Sequence, residues 1–373
     1  MKRLAAIALL AAWVPSMSPA TAAADLKVMT RNLYLGASLD RALDAESILQ
    51  IPGIAAATWA AVQEANFPER AGALAAEIAA AQPHLIGLQE VCTYRTQTPG
   101  DFLFGNPHPA TEVAMDYLAL LQGELRARGL DYRVAAATRG TDVEVPISTG
   151  VDVRLTNWDV ILARKDVDIT NSQGGNYAAS LEVPIAGGSG FSVRFLRGWA
   201  AVDAMVEGEM IRFVSTHLER ATAPAIQVLQ AGELRQLVKR SPHPVVLVGD
   251  FNSRAAAGGT ASYSLFAERG FVDAWSQANP GAAGYTCCQA EDLSNSVTRL
   301  DRRIDHVFMR GPFTARAALI MGSSLSARTV SGLWPSDHAG LVVRLQMGAG
   351  EAATKERTVD MGRRKERAAG IPF

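Results

Sequence analysis

The sequence predicts a mixed α/β protein, and three observations carry that reading. Short apolar or alternating runs recur at 26–33, 85–91, 132–136, 160–163, 191–195, 200–206, 211–216, 245–249, 304–309 and 339–345, the pattern of strands. Between several of them the apolar residues switch to helical spacing. Ala114, Tyr117, Leu118, Leu121 and Leu125 mark one such face, and Ile226, Leu229, Leu234 and Val238 mark another within 225–239. Glu207-Gly208, inside the stretch 205–210, reads as a tight turn between neighbouring strands, and a hairpin excludes an all-parallel sheet.

The ends differ from the middle. Lys2 and Arg3 precede an apolar stretch over 4–14 too short to span a bilayer, and Ala20-Thr21-Ala22 or Ala22-Ala23-Ala24 offers small residues for cleavage. Residues 1–24 are therefore expected to be a signal peptide cut near Ala22 or Ala24, leaving a soluble protein that is secreted or periplasmic. After about 349 the chain becomes charged and poor in large apolar residues, with Arg363, Arg364, Lys365 and Arg367 interspersed with Glu356, Asp360 and Glu366. A solvated, disordered tail is expected over 349–373. No repeat and no Pro-, Gly- or Ser-rich linker divides 25–348, so one domain is expected there. Two segments read as additions to it: 36–70, which carries Trp59 and Phe67, and the Pro- and Gly-rich 92–110.

With 48% hydrophobic and 20% charged residues, the 373-residue chain has the composition of an ordinary globular protein. Its formal net charge of −1 does not suit a protein that coats polyanions, so any phosphate recognition is expected to be local. Cys92, Cys287 and Cys288 are too few for a disulfide scaffold, but an oxidising compartment permits one bridge. A vicinal Cys287–Cys288 pair and a bridge from Cys92 to either are both open. The expectation is a bridge from Cys92, pinning the 276–300 loop.

The strands end unusually. Asn32 closes the first, Glu90 the second, His217 ends "IRFVSTH", and "VVLVGDFN" stops on Asp250 and Asn252. "RRIDHVFMRG" carries Asp305, and Asp337 and His338 precede the last strand. In layered α/β folds, strand ends present reactive groups to a shared crevice. Glu90, Asp250, Asp337, Asn32 and Asn252 offer only hard oxygen ligands, which suit Mg²⁺ or Mn²⁺ rather than zinc. His217 and His338 add groups able to move protons near neutral pH. Carboxylates, a hard cation and two imidazoles together suit attack of water on phosphorus.

The ordered set Asn32, "LQE" at Glu90, "STHL" at His217, "GDFN" at Asp250 and Asn252, "RIDHV" at Asp305 and "SDH" at Asp337 and His338 resembles the endonuclease/exonuclease/phosphatase superfamily over about 26–345. That superfamily includes the deoxyribonuclease I type, abasic-site endonucleases, neutral sphingomyelinases and inositol polyphosphate 5-phosphatases. The resemblance implies a four-layer sandwich, two mixed β-sheets packed face to face with helices outside. It also implies Glu90 as principal metal ligand, with Asn32 and Asp337, for Mg²⁺ or Mn²⁺. Asp250 would orient or deprotonate the water, Asn252 would bind the scissile phosphate, and Asp305 would fix the tautomer of His338. His217 groups the chain with the deoxyribonuclease, sphingomyelinase and 5-phosphatase members. The implied activity is a phosphodiesterase, nuclease or phospholipase C-like, with a phosphoinositide-type phosphomonoesterase and a catalytically silent binding module as alternatives. The substrate would be a nucleic acid, a phospholipid or an inositol phosphate, and the chain is expected to be monomeric.

Each residue also has a plainer reading. Asn32, Asp250 and Asn252 could serve turns or caps, and Asp305 could pair with Arg302 or Arg303. Glu90 resists such a reading, because a carboxylate closing a buried run needs a partner. His84, His108, His243 and His306 read as structural or solvated. Arg31, Arg197, Arg254 and Arg303 read as surface charge, and Trp59 and Phe67 as core.

Overall fold

The computed structural model describes residues 24–40, 45–105, 107–148, 150–185, 192–255 and 258–348. The expected signal peptide, apart from Ala24, and the expected tail beyond 348 lie outside the described residues.

In chain order the elements are β1 (Ala24–Asn32), α1 (Ile51–Glu64), α2 (Phe67–Ala81), β2 (Leu85–Gln97), β3 (Glu112–Asp116), α3 (Tyr117–Ala127), β4 (Tyr132–Ser148) and β5 (Val151–Arg164). There follow β6 (Asp168–Asn176), β7 (Leu181–Pro184), β8 (Ser192–Phe195), β9 (Gly198–Val206), β10 (Glu209–His217), α4 (Pro224–Lys239) and β11 (Val245–Asp250). The chain continues with α5 (Ala261–Ala267), β12 (Val272–Asp273), α6 (Ala274–Ala278), β13 (Asp305–Arg310), β14 (Phe313–Met321) and β15 (Gly340–Met347).

One sheet runs β14-β15-β1-β2-β5-β4, with β3 paired to β2; the other runs β12-β13-β11-β10-β9-β6. Both are mixed, since β1 with β2 and β10 with β11 are parallel while their other neighbours are antiparallel. The Glu207-Gly208 turn does join β9 to β10.

Alternation along the strands builds three layers of core. Val28 of β1 and Val246 and Val248 of β11 meet between the sheets, whereas their neighbours Met29, Val245 and Leu247 face outward. The outer face of the first sheet is covered by Phe67, Leu74 and Ile78 of α2 and Leu121 and Leu125 of α3. The second is covered by Leu234 and Val238 of α4 and Phe266 of α5. Helix, sheet, sheet, helix is the expected four-layer sandwich.

Two glycines permit close approaches, the first between the sheets and the second between neighbouring strands of one sheet. A Cβ on Gly87 of β2 would meet Ser215 and Val248 of the facing sheet, and one on Gly249, at φ 146°, would run into the Thr216 carbonyl of β10.

Several boundaries moved. The expected loop from 92 is strand as far as Gln97, because Thr93 to Gln97 pair with Asp152 to Thr156 of β5. Segment 36–70 folds into a 3-10 turn (Ile48–Gln50), α1 and the start of α2. Phe67 is core, stacked on Tyr117 at 3.5 Å between ring centroids, while Trp59 stays half-buried against Tyr94.

The expected Cys92 bridge is wrong. The structure joins Cys287 to Cys288 and leaves Cys92 a buried free thiol. Cys92 points to the outer, helix-covered face of the first sheet, whereas Cys287 sits in the loop that pairs with Arg302 and His338.

Candidate active site

Sheet topology brings the strand ends together. β1 and β2 run parallel and so finish at the same end, with Asn32 opposite Gln89. β10 and β11 also run parallel, and His217 is in register with Asp250. β13 and β15 run antiparallel to these neighbours, so their beginnings lie at that end too, with Asp305 opposite Asp250 and the Asp337-His338 loop beside β1.

Glu90 is aimed by a defect. The register of β2 against β5 shifts between Leu88 and Val91, and Glu90 takes φ 56°. Such a bulge turns the side chain out of the alternation. Its carboxylate accepts from Leu35 N at 2.8 Å and from Asn32 Nδ2 at 3.2 Å, which supplies the partner a carboxylate there requires. Asn32 Nδ2 also donates to Asp250 Oδ2 at 3.2 Å, and Asn32 Oδ1 accepts from Tyr34 N at 2.9 Å. The amide of Asn32 thus spans carboxylates from both sheets.

The two imidazoles face Asp250 from either side. Asp250 Oδ2 lies 3.5 Å from His217 Nε2 and 3.8 Å from His338 Nε2. His338 Nδ1 is 2.8 Å from Asp305 Oδ2, so Asp305 fixes the ring as expected. Arg197 Nη1 lies 3.1 and 3.0 Å from the two ring nitrogens of His217, and Asn252 Nδ2 lies 3.2 Å from Nε2. Asn252, at φ 49°, is held by its N–H on Asp250 Oδ1 at 2.8 Å and by donating to Leu218 O at 3.0 Å.

These surroundings push the rings apart in charge. Burial first, then the Arg197 guanidinium and His338, hold His217 well below the usual imidazole range. Burial also opposes charge on His338, but Asp305, Asp337 and Asp250 outweigh it and hold its pKa well above that range. Burial and then the Asp305 carboxylate push Asp250 up to about 7. Burial pushes Asp337 up to about 6, with His338 opposing and Glu90 assisting.

All eight residues read from the sequence gather at this end of the sandwich: Asn32, Glu90, His217, Asp250, Asn252, Asp305, Asp337 and His338. The four other histidines stay out of it. His306 is buried on the far side of β13, between Ser253 O at 2.8 Å and Arg303 Nη1 at 3.2 Å.

The arginines required correction. Arg31 and Arg303 are buried, and the Arg197 side chain is only 13% exposed and pairs with Glu219 at 3.3 Å, so surface charge holds for the exposed Arg254 alone. Two further residues went unnoticed. Asp159 of β5 is buried, with Oδ1 unbonded; burial raises its pKa most, Arg197 opposes, and Glu90 and Asp250 add to the rise. The same rule that flagged Glu90, an acid inside an apolar strand, applies to "NWDVILA". Arg70, fully buried, donates to the carbonyls of Leu33 at 2.7 Å and Pro335 at 2.9 Å, fastening the Asn32 loop to the Asp337 loop.

The residues present suit a hard divalent cation. Glu90, Asp250 and Asp337 crowd one crevice with oxygen donors, Asp305 Oδ1 is buried without a partner, and ligand atoms of Asp250, Asp305 and His338 lie within 4.8 Å of one another.

Fold and site together define a phosphoric ester hydrolase. The chain belongs to the endonuclease/exonuclease/phosphatase family, whose pattern matches residues 60–338. No curated protein matches it. Among solved structures it is similar to a family member from Bacteroides thetaiotaomicron, at 18% identity and TM-score 0.53, over 87% of this chain and 98% of that one. One from Beutenbergia cavernae is 24% identical with TM-score 0.52, over 87% of this chain and 72% of that one. A mannosyl-6-phosphatase of Bacteroides thetaiotaomicron is 19% identical with TM-score 0.51, over 86% and 99%. These likenesses concern the fold.

Proposed function

We propose that the protein is an exported, divalent-metal-dependent phosphodiesterase, with Mg²⁺ or Mn²⁺ held by Glu90 and Asp337; Asn32, expected as a third ligand, instead turns its Nδ2 to Glu90 and Asp250 and its Oδ1 to Tyr34 N, and so orients the carboxylates. The observation that carries this reading is Asp250, set 3.5 Å from the His217 ring and 3.8 Å from the His338 ring in a crevice that Glu90 and Asp337 also line. The bound cation would draw off negative charge developing on the phosphoryl oxygens.

The remaining chemistry falls to the chain. Asp250 takes a proton from water as the water oxygen bonds to phosphorus. The bond from phosphorus to the leaving oxygen breaks on the opposite side, where solvent water supplies that oxygen with a proton, while the His338 imidazolium, 3.8 Å from Asp250 and so on the same side as the attacking water, donates to a phosphoryl oxygen. Neutral His217, Asn252 and Arg197 line the crevice where the phosphoryl oxygens would sit. The lysine-flanked apolar start of the sequence supports export.

The test is an assay of the purified mature protein on DNA, RNA, sphingomyelin, phosphoinositides and a simple phosphodiester, with and without chelator. Cleavage of at least one diester, lost with chelator and restored by Mg²⁺ or Mn²⁺, is expected. Hydrolysis indifferent to chelator, or none of any ester, overturns the reading.

A further inference from the structure

Beside the catalytic crevice lies a cavity of another character. It has a volume of about 270 Å³ and is walled by Ile51 and Trp59 of α1, Val145 of β4, Val153 of β5, and Val193 and Phe195 of β8. The few polar groups in its wall include Glu144, whose carboxylate accepts from Ala110 N at 3.0 Å. A groove of about 390 Å³ joins the two regions. It shares Leu39, Thr141, Leu155 and Phe195 with the cavity, and Glu90, Arg197 and Asp337 with the catalytic crevice.

Two further facts bear on what fills it. Ile48, Ile51, Ala55 and Trp59 come from the 36–70 segment that lengthens the connection between β1 and β2, so that segment builds one side of the wall. The 3-10 turns (Ile48–Gln50 and Phe102–Phe104) that place Ile48 and Phe102 in the wall also expose Leu49 at 86% and Phe104 at 83%. Exposed apolar side chains around the wall of an apolar cavity suit contact with a lipid surface.

We infer that this cavity is a subsite for an alkyl chain, and that the substrate is a phosphodiester carrying one, as a phospholipid does. The inference rests on the phosphodiesterase reading above. At roughly 30 Å³ for each small group, the space takes about eight to ten carbons. The chain would run from the cavity through the groove and deliver its phosphate to Glu90 and Asp250.

Hydrolysis of methyl to decyl 4-nitrophenyl phosphodiesters, kept monomeric and supplied with Mg²⁺, tests this. kcat/KM should rise once the alkyl chain is long enough to cross the groove and enter the cavity, by about fourfold for each methylene buried there. Ala55→Trp, and independently Val193→Trp, should remove that gain and leave the methyl ester rate unchanged. A flat series with an active methyl ester, or a gain that survives both substitutions, overturns the subsite but not the phosphodiesterase.

If no diester is cleaved, the phosphodiesterase reading fails by itself, and binding still decides the cavity. Calorimetry with monomeric hexyl-, octyl- and decylphosphocholine on the Glu90→Ala protein should show affinity climbing with chain length. Affinity indifferent to chain length overturns the inference.

Discussion

The two sheets reach the same crevice by different means. The first delivers Glu90 through a bulge, with the backbone at φ 56° and the carboxylate tied to a backbone N–H and to Asn32. The second delivers His217, Asp250 and Asp305 from regular strand ends in register, with no break in the ladder. A ligand carboxylate must be turned against the alternation of its strand, whereas groups that exchange protons need only stand opposite one another. The first sheet also bears the apolar cavity, on β4 and β5, so the side that would bind metal is also the side that would bind chain.

The largest effect should come from the second sheet. Asp250→Asn and His338→Ala are each expected to lower turnover about 10³-fold or more while thermal unfolding shows a folded protein. Near-normal turnover in either would move proton transfer elsewhere. Arg197→Met should cost about 10- to 100-fold and shift the acid limb of the pH–rate profile upward, because His217 would lose the guanidinium that helps keep it neutral. An unchanged profile would mean that burial alone sets the ring's charge.

The smallest effect separates stability from chemistry within β13. His306, pushed down to about 4 by burial and then Arg303, donates from Nε2 to Ser253 O and is neutral when folded. Its folded pKa lies below the unfolded value of about 6.5, so the unfolded chain binds the extra proton first. The stability it supplies is complete above about 6.5 and is lost as pH falls toward 4. Between pH 7 and 5 the advantage of the wild type over His306→Gln, read from urea midpoints, should shrink by about 2 kcal/mol. A constant difference would show that the ring titrates normally.

Much of this was legible because the signal was repeated. One polar residue after an apolar run is a cap or turn; Asn32, Glu90, His217, Asp250, Asp305 and Asp337 in order are a site. Arg197 and Arg70 were not legible, since nothing local tells a buried arginine from a surface one, whereas Asp159 carried the same signal as Glu90. The burial of those arginines depends on which strand passes opposite. The long hairpin of β4 and β5 was seen only in part because Gly140 and Pro146 read as breaks in its outer half. Cysteine pairing was beyond reach because it depends on which face of β2 carries Cys92.

The amide of Asn32 holds Glu90 of one sheet and Asp250 of the other. The crevice is therefore also the seam of the sandwich. The layers cannot part at that end without dismantling it, so a molecule whose sheets have separated there has no active centre left to lose.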